Sequence, residues 1–134
     1  MKVLVDTSVW SLALRRVKPT SSKIVEELAE LVREGRVVII GPIRQELLSG
    51  VKSAQHYEIL REHLRAFPDL ELETADFEEG AAIFNRCRSK GIQGSNTDLL
   101  MCAVAARRDL AIFTTDADFT ELRRVLSLTM HDPR

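Results

Sequence analysis

Cysteine, histidine and aromatic side chains are scarce in this sequence, and no sign of charge dominates it. Two cysteines, Cys87 and Cys102, cannot build a disulfide scaffold. Neither belongs to a CxxC or Cys/His ligand pattern, which excludes the small zinc modules and points to a reducing compartment. Aromatics make up only 5% of the chain, which disfavours RNA modules that stack bases on exposed Phe or Tyr. Nineteen Lys and Arg face twenty Asp and Glu, a formal charge of −1, so the chain is no generally basic nucleic-acid coat protein. Long hydrophobic runs are missing too. The longest, Leu99 to Ala106, falls far short of the roughly 20 residues that span a bilayer. The N-terminal segment meets Asp6 after only Val3-Leu4-Val5, too soon for the apolar centre of a signal peptide. The expectation is a soluble, cytoplasmic protein with no membrane segment.

What is present is enough for a packed core. The 134 residues are 45% hydrophobic and 29% charged, the proportions and length of one globular domain covering 1–134. Strand-like and helix-like patterns alternate along it. Lys2–Val5 reads as a buried strand, followed by a helix from about Ser8 to Arg16 that ends before Lys18-Pro19. Thr20-Ser21-Ser22 offers N-caps to a helix reaching Glu34, with Ile24, Leu28, Leu31 and Val32 on one face and Gly35 as its stop. Val37–Ile40, four β-branched residues in a row, predicts a strand buried on both sides. Helices are expected over Ile43–Ser49, Ala54–Ala66, Thr74–Lys90 with Thr74 as cap, Thr97–Arg108 and Phe119–Val125. Further strands are expected at Leu70–Leu72, Ala111–Thr114 and Leu126–Met130. No repeat, linker or low-complexity stretch interrupts the series. This alternation predicts a three-layer α/β domain with a largely parallel central sheet flanked by helices. In such sheets ligands bind beyond the carboxyl ends of the strands.

Acids stand at those ends. Asp6 directly follows the first strand, with the hydroxyls of Thr7 and Ser8 next to it. Asp116 follows Ala111–Thr114, and Asp118 comes two residues later. Glu46 lies in the helix after Val37–Ile40, and Asp98 in the first turn of an otherwise apolar helix. Each alone reads more simply as turn or cap chemistry. Together they are harder to dismiss, because two carboxylates about 4 Å apart repel by about 1 kcal/mol in water and about 4 at an effective dielectric near 20. A compensating cation resolves that repulsion. Hard oxygen ligands with no His or Cys beside them select Mg²⁺ or Mn²⁺ over zinc. One or two such ions suit hydrolysis of a phosphodiester.

Four segments carry a family resemblance: Val3-Leu4-Val5-Asp6-Thr7-Ser8-Val9-Trp10, Pro42-Ile43-Arg44-Gln45-Glu46-Leu47-Leu48-Ser49-Gly50, Thr97-Asp98-Leu99-Leu100-Met101-Cys102-Ala103-Val104-Ala105, and Ile112-Phe113-Thr114-Thr115-Asp116-Ala117-Asp118-Phe119. In order and spacing the chain resembles a PIN-domain ribonuclease, in particular the compact VapC-type toxin of bacterial and archaeal toxin–antitoxin pairs. The resemblance implies a PIN-like fold and Asp6, Glu46, Asp98 and Asp116 as catalytic, metal-binding acids. It implies that Thr7, Ser8 and Thr114 orient ligands or water. Asp118 matches a frequent extra acid, read here as supporting the site from behind, with a helix cap as the equal alternative. The implied reaction is Mg²⁺- or Mn²⁺-dependent endonucleolytic hydrolysis of RNA, leaving 5′-phosphate and 3′-hydroxyl ends. A homodimer and a cognate protein antitoxin that covers the acidic site are implied as partners.

Substrate contacts are less legible. Arg86, Arg88 and Lys90 end one helix and Arg107-Arg108 another; they are candidates for gripping phosphate, although basic helix C-termini are ordinary. His56, His63 and His131 read as surface or packing residues, and Trp10 as a core or interface anchor. A PIN fold retained as an RNA- or protein-binding module without nuclease turnover is the alternative, and the four acids speak against it. A haloacid-dehalogenase-type phosphatase would need a second acid in Asp6-Thr7-Ser8, and a P-loop is absent. Without the four acids, sixteen acidic residues face nineteen basic ones. The near-neutral balance therefore reads as a concentrated metal site on a mildly basic surface.

Overall fold

The computed structural model describes residues 1–15 and 22–134. Three short parallel strands form its sheet: β1 (Val3–Val5), β2 (Val37–Val38) and β3 (Ala111–Phe113), in the order β2-β1-β3. Val3 pairs with Val37 and with Ala111, and Val5 with Phe113. β1 and β3 are wholly buried, as their unbroken apolar runs require. β2 corrects one expectation. As the edge strand it has Val37 and Val38 only half-buried, and regular pairing stops after two residues. Ile39 makes a single parallel bridge to Asp69, and Ile40 is already the extended residue before a helix. The strands expected at Leu70–Leu72 and Leu126–Met130 shrink in the same way, to the bridges Ile39–Asp69 and Ile112–Met130. Glu71 and Glu73 leave the first too few apolar positions to sustain a ladder.

Helices cover the sheet. α1 (Thr7–Trp10) continues as a π-helical segment, Ser11–Arg15; the remaining expected turn and the caps Thr20 and Ser21 lie outside the described residues. α2 (Lys23–Arg33) is capped by Ser22, whose hydroxyl accepts the Val25 N–H. α3 (Gly41–Leu48) starts with Pro42 in its first turn, where the missing N–H costs nothing. α4 (Ala54–Leu64), α5 (Thr74–Ser89), α6 (Asn96–Arg108) and α7 (Asp118–Leu122) complete the order. Arg44 of α3 ties down the end of α4, donating to the carbonyls of Leu64 and Phe67 and to the Asp69 carboxylate. Trp10 is a core residue, packed edge-on against Phe67. His131 bonds the buried carboxylate of Glu27 at 2.7 Å, with Arg134 on the same acid, so it serves packing rather than chemistry.

The most extensive helix contact is the antiparallel pair α5–α6. Its N-terminal detail differs from expectation: Glu73, not Thr74, precedes the first helical residue of α5. Asp76, in the first turn of α5, is fully buried between the helices. It accepts the Glu73 N–H at 2.7 Å and the guanidinium groups of Arg107 at 2.5 Å and Arg108 at 2.6 Å. Burial pushes the Asp76 carboxyl up, but the N–H and the two cations outweigh it and hold the group at about 2.

Candidate active site

The carboxyl edge of the sheet gathers the acids. β1 ends at Asp6, whose own N–H bonds the Phe113 carbonyl at 2.9 Å and so locks the ends of β1 and β3 together. β2 leads through Ile39-Ile40 into α3, which carries Glu46; α6 begins beside them with Asp98. Asp6, Thr7, Ser8, Glu46, Asp98, Asp116 and Asp118 line one open cleft of about 820 Å³.

Hydroxyls organise the cleft floor. Asp6 is 4% exposed, and its Oδ2 accepts the Ser8 hydroxyl at 2.8 Å and the Thr114 hydroxyl at 2.7 Å. Among the described residues no donor reaches Oδ1, so that oxygen is left for a ligand. Ser8 also accepts the Thr115 N–H at 3.0 Å, and Thr114 accepts the Asp116 N–H at 3.0 Å. The turn carrying Asp116 is thereby tied to the turn carrying Asp6. Thr7 donates to Glu46 Oε1 at 2.7 Å, fixing an otherwise exposed carboxylate on α3. Asp116 in turn accepts the Asp118 N–H at 2.9 Å.

Carboxylate oxygens of Asp98, Asp116 and Asp118 all lie within 4.8 Å of one another. Among the described residues no Lys, Arg or His pairs with these three, with Asp6 or with Glu46. The strain shows at Asp98. Burial, joined by the negative charges of Asp6 and Asp116, pushes its carboxyl up to about 6 despite the Ser95 hydroxyl beside it. The donor set fits a hard divalent cation: oxygens only, several negative charges, one Asp6 oxygen lacking a protein donor, and no counter-ion among the described residues.

Asp98 therefore costs stability when ionised. Its folded carboxyl holds a proton more tightly than the unfolded one, so the cost is present above about pH 6 and disappears as pH falls toward the ordinary value of 3.8. The shift corresponds to about 3 kcal/mol, which water around a half-exposed group reduces to about 1. In EDTA at pH 7, Asp98→Asn is expected to melt about 3–5 °C higher than the parent chain. At pH 4 the gap should close; equal melting at pH 7 would refute the strained-carboxylate account.

The basic residues considered as phosphate contacts sit elsewhere. Arg107 and Arg108 end α6, at the opposite end from Asp98, and are engaged with Asp76. Arg86, Arg88 and Lys90 are exposed at the end of α5, and none lines the acidic cleft. Their placement gives Arg107 and Arg108 a structural explanation in the α5–α6 contact. Sequence reasoning passed over Ser95, which lines the cleft and accepts the Asp98 N–H at 3.1 Å as the cap of α6. The signal was present in Ser95-Asn96-Thr97-Asp98, the S/T-x-x-acid spacing of a helix start. Gln45 and Ser49, one turn apart on α3, also line the cleft and carried no local signal.

A sheet of order β2-β1-β3 with carboxylates converging at its carboxyl edge defines an acidic-cleft α/β domain. The family model described as PIN domain matches residues 3–125, and the chain belongs to that family, whose members are generally nucleases. No curated protein sequence matches it. Among solved structures it is similar to VapBC2 from Rickettsia felis bound to a promoter DNA fragment, with TM-score 0.79, 19% identity and 98% of each chain covered. It is similar to FitAcB from Neisseria gonorrhoeae, with TM-score 0.76, 21% identity, and 98% of this chain and 97% of that chain covered. A third is VapBC-5 from Mycobacterium tuberculosis, a member of the VapBC family of toxin-antitoxin systems, with TM-score 0.68, 20% identity, and 97% of this chain and 98% of that chain covered. At these identities the likeness is one of fold. Among the described residues no helix is long and apolar enough to cross a membrane.

Proposed function

We propose that this chain is a Mg²⁺- or Mn²⁺-dependent endoribonuclease, the toxin of a toxin–antitoxin pair, neutralised by a protein antitoxin and working as a homodimer in the cytoplasm. The observation that carries the nuclease reading is the carboxylate cluster: Asp98, Asp116 and Asp118 within 4.8 Å, with no cation of the described residues paired to them. The toxin role is supported by family membership and by fold likeness to chains of VapBC and FitAB assemblies.

Asp98, Asp116 and Asp118 would hold the ion, with Asp6 Oδ1 and Glu46 completing the acidic wall. When bound, the ion supplies Lewis acidity and charge neutralisation for displacement at phosphorus. The chain's own residues supply position. Ser8 and Thr114 fix Asp6 through Oδ2 and leave Oδ1 without a donor among the described residues, and Thr7 holds Glu46 at the cleft. At neutral pH Asp98 is largely ionised, so it offers negative charge without first releasing a proton. Hydrolysis breaks one P–O bond, consumes one water and leaves a 5′-phosphate and a 3′-hydroxyl.

The test is direct. The purified chain is incubated with structured and unstructured RNA in Mg²⁺, Mn²⁺ or EDTA, and the product ends are mapped. Cleavage that stops in EDTA, returns with added Mn²⁺ and leaves 5′-phosphates is expected. Cleavage indifferent to EDTA, or none in any ion, sinks the reading and leaves the fold as a binding module.

A further inference from the structure

The helical run that begins at the acidic cleft ends on a cation without a counter-charge. Arg15 closes the π-helical stretch Ser11–Arg15 and is half-buried. Nine of the described arginines have a carboxylate within ion-pair distance. Arg65, Arg88 and Arg123 have none, and all three are exposed, so water serves them. Among the described arginines Arg15 alone combines partial burial with the lack of an acid. Residues 16–21 contain no Asp or Glu that could supply one.

Its place is as specific as its lack of a partner. Arg15 Nη2 lies 3.9 Å from where a Cβ would stand on Gly50, which takes a φ of +81°. Gly50 follows Ser49, and Gln45, Glu46 and Ser49 form the α3 wall of the acidic cleft. The guanidinium therefore stands just past the end of that wall, four residues beyond Glu46. Thr7, at the start of the same helical run, also touches α3, through Glu46. A π-turn takes about one more residue than an α-turn, and here it returns Arg15 to the side of the run that carries Thr7. Such turns are frequent at functional sites.

We propose that Arg15 binds the RNA substrate, its guanidinium gripping a backbone phosphate next to the scissile one at the α3 rim of the cleft. The proposal rests on the nuclease reading above and adds to it a residue that holds the strand. A strand anchored at one phosphate can still swing, and a second anchor fixes its direction. A guanidinium suits that role, because it offers a fork of N–H donors to two phosphate oxygens and stays charged at every working pH. The competing account is structural: a cation near the last carbonyls of α3 favours the dipole of that helix. It predicts an effect on melting and none on substrate affinity.

The test compares the parent chain, Arg15→Ala and Arg15→Lys on a labelled single-stranded oligoribonucleotide at fixed Mn²⁺, with KM, kcat and Tm measured across a salt series. Arg15→Ala is expected to raise KM about tenfold and to change kcat less than about threefold. The slope of log KM against log salt should become shallower by about 0.7, the value of one phosphate contact on a single strand. Arg15→Lys keeps the charge and loses the fork, so it should recover most of the slope and part of the affinity. Exchanging single phosphates of the oligonucleotide for neutral methylphosphonates should cost the parent about tenfold at one linkage beside the cleaved one, and Arg15→Ala almost nothing there. Arg15→Ala with unchanged KM and salt slope, whether or not its Tm falls, overturns the proposal and leaves the nuclease reading standing. Equal methylphosphonate losses in parent and Arg15→Ala at every linkage overturn it too. A parent that cleaves no RNA in any ion overturns both readings.

Discussion

Asp98→Asn and Asp116→Asn are each expected to slow RNA cleavage on the order of 10²–10³-fold at a fixed sub-saturating Mg²⁺ or Mn²⁺ concentration. Each substitution keeps the side-chain volume and removes one negative charge from a cluster of three acids whose ligand oxygens lie within 4.8 Å. Attraction for a divalent cation falls, and so does stabilisation of charge developing on phosphate. The prediction separates chemistry from folding, because Asp98→Asn should gain stability while it loses activity. A graded series sharpens it. Thr114→Val removes one of the two hydroxyls on Asp6 Oδ2 and leaves Ser8 in place, so its loss should be about 10–100-fold, the range for a partner that orients a ligand. Initial rates on a labelled RNA across an ion titration provide the measurement. An Asp116→Asn protein as fast as its parent would remove the carboxylate cluster from the reaction.

Asp76→Ala is expected to lower stability by about 3 kcal/mol, at the lower end of the range for breaking a buried ion pair because both arginines reach solvent. For a chain of this length that is about 10 °C in Tm. The loss has three parts: the Glu73 N–H forfeits its acceptor, two guanidinium groups lose their counter-charge, and the α5–α6 contact loses its polar anchor. The pH dependence has a definite sign. The folded Asp76 carboxyl sits at about 2 against an ordinary value of 3.8. Its contribution is therefore fully present above about pH 4 and is lost as pH falls through 2. Thermal melts of parent and variant should differ most at pH 5–7 and converge near pH 2. A constant gap across that range would show that lost packing, not the charge, sets the cost.

These two acids show how differently the sequence speaks about similar residues. Asp98 and Asp76 both occupy the first turn of a helix, where an acid faces the helix dipole. Family spacing marked Asp98 for the cleft, and the structure places it there. Nothing local marked Asp76, because its partners Arg107 and Arg108 lie more than thirty residues away and meet it only once α5 and α6 pack. The same fact accounts for Arg107 and Arg108, which sequence position alone offered as phosphate contacts. Ser95 was readable as a cap and was passed over, whereas Gln45 and Ser49 reach the cleft only through the placement of α3 against α1.

By itself the sequence determined the alternation of strands and helices, the burial of β1, and the presence of acids just past the strand ends. These follow from short-range physics: unbroken apolar runs, caps, and residues that stop helices. Tertiary structure decided how long the strands are, since β2 became an edge and pairing beyond it reduced to single bridges. It also decided which charges neutralise one another. Asp76 found two arginines within the fold, while Asp98, Asp116 and Asp118 converged with no cation of the described residues paired to them. Pairing depends on which elements pack, and packing joins residues that no local pattern relates.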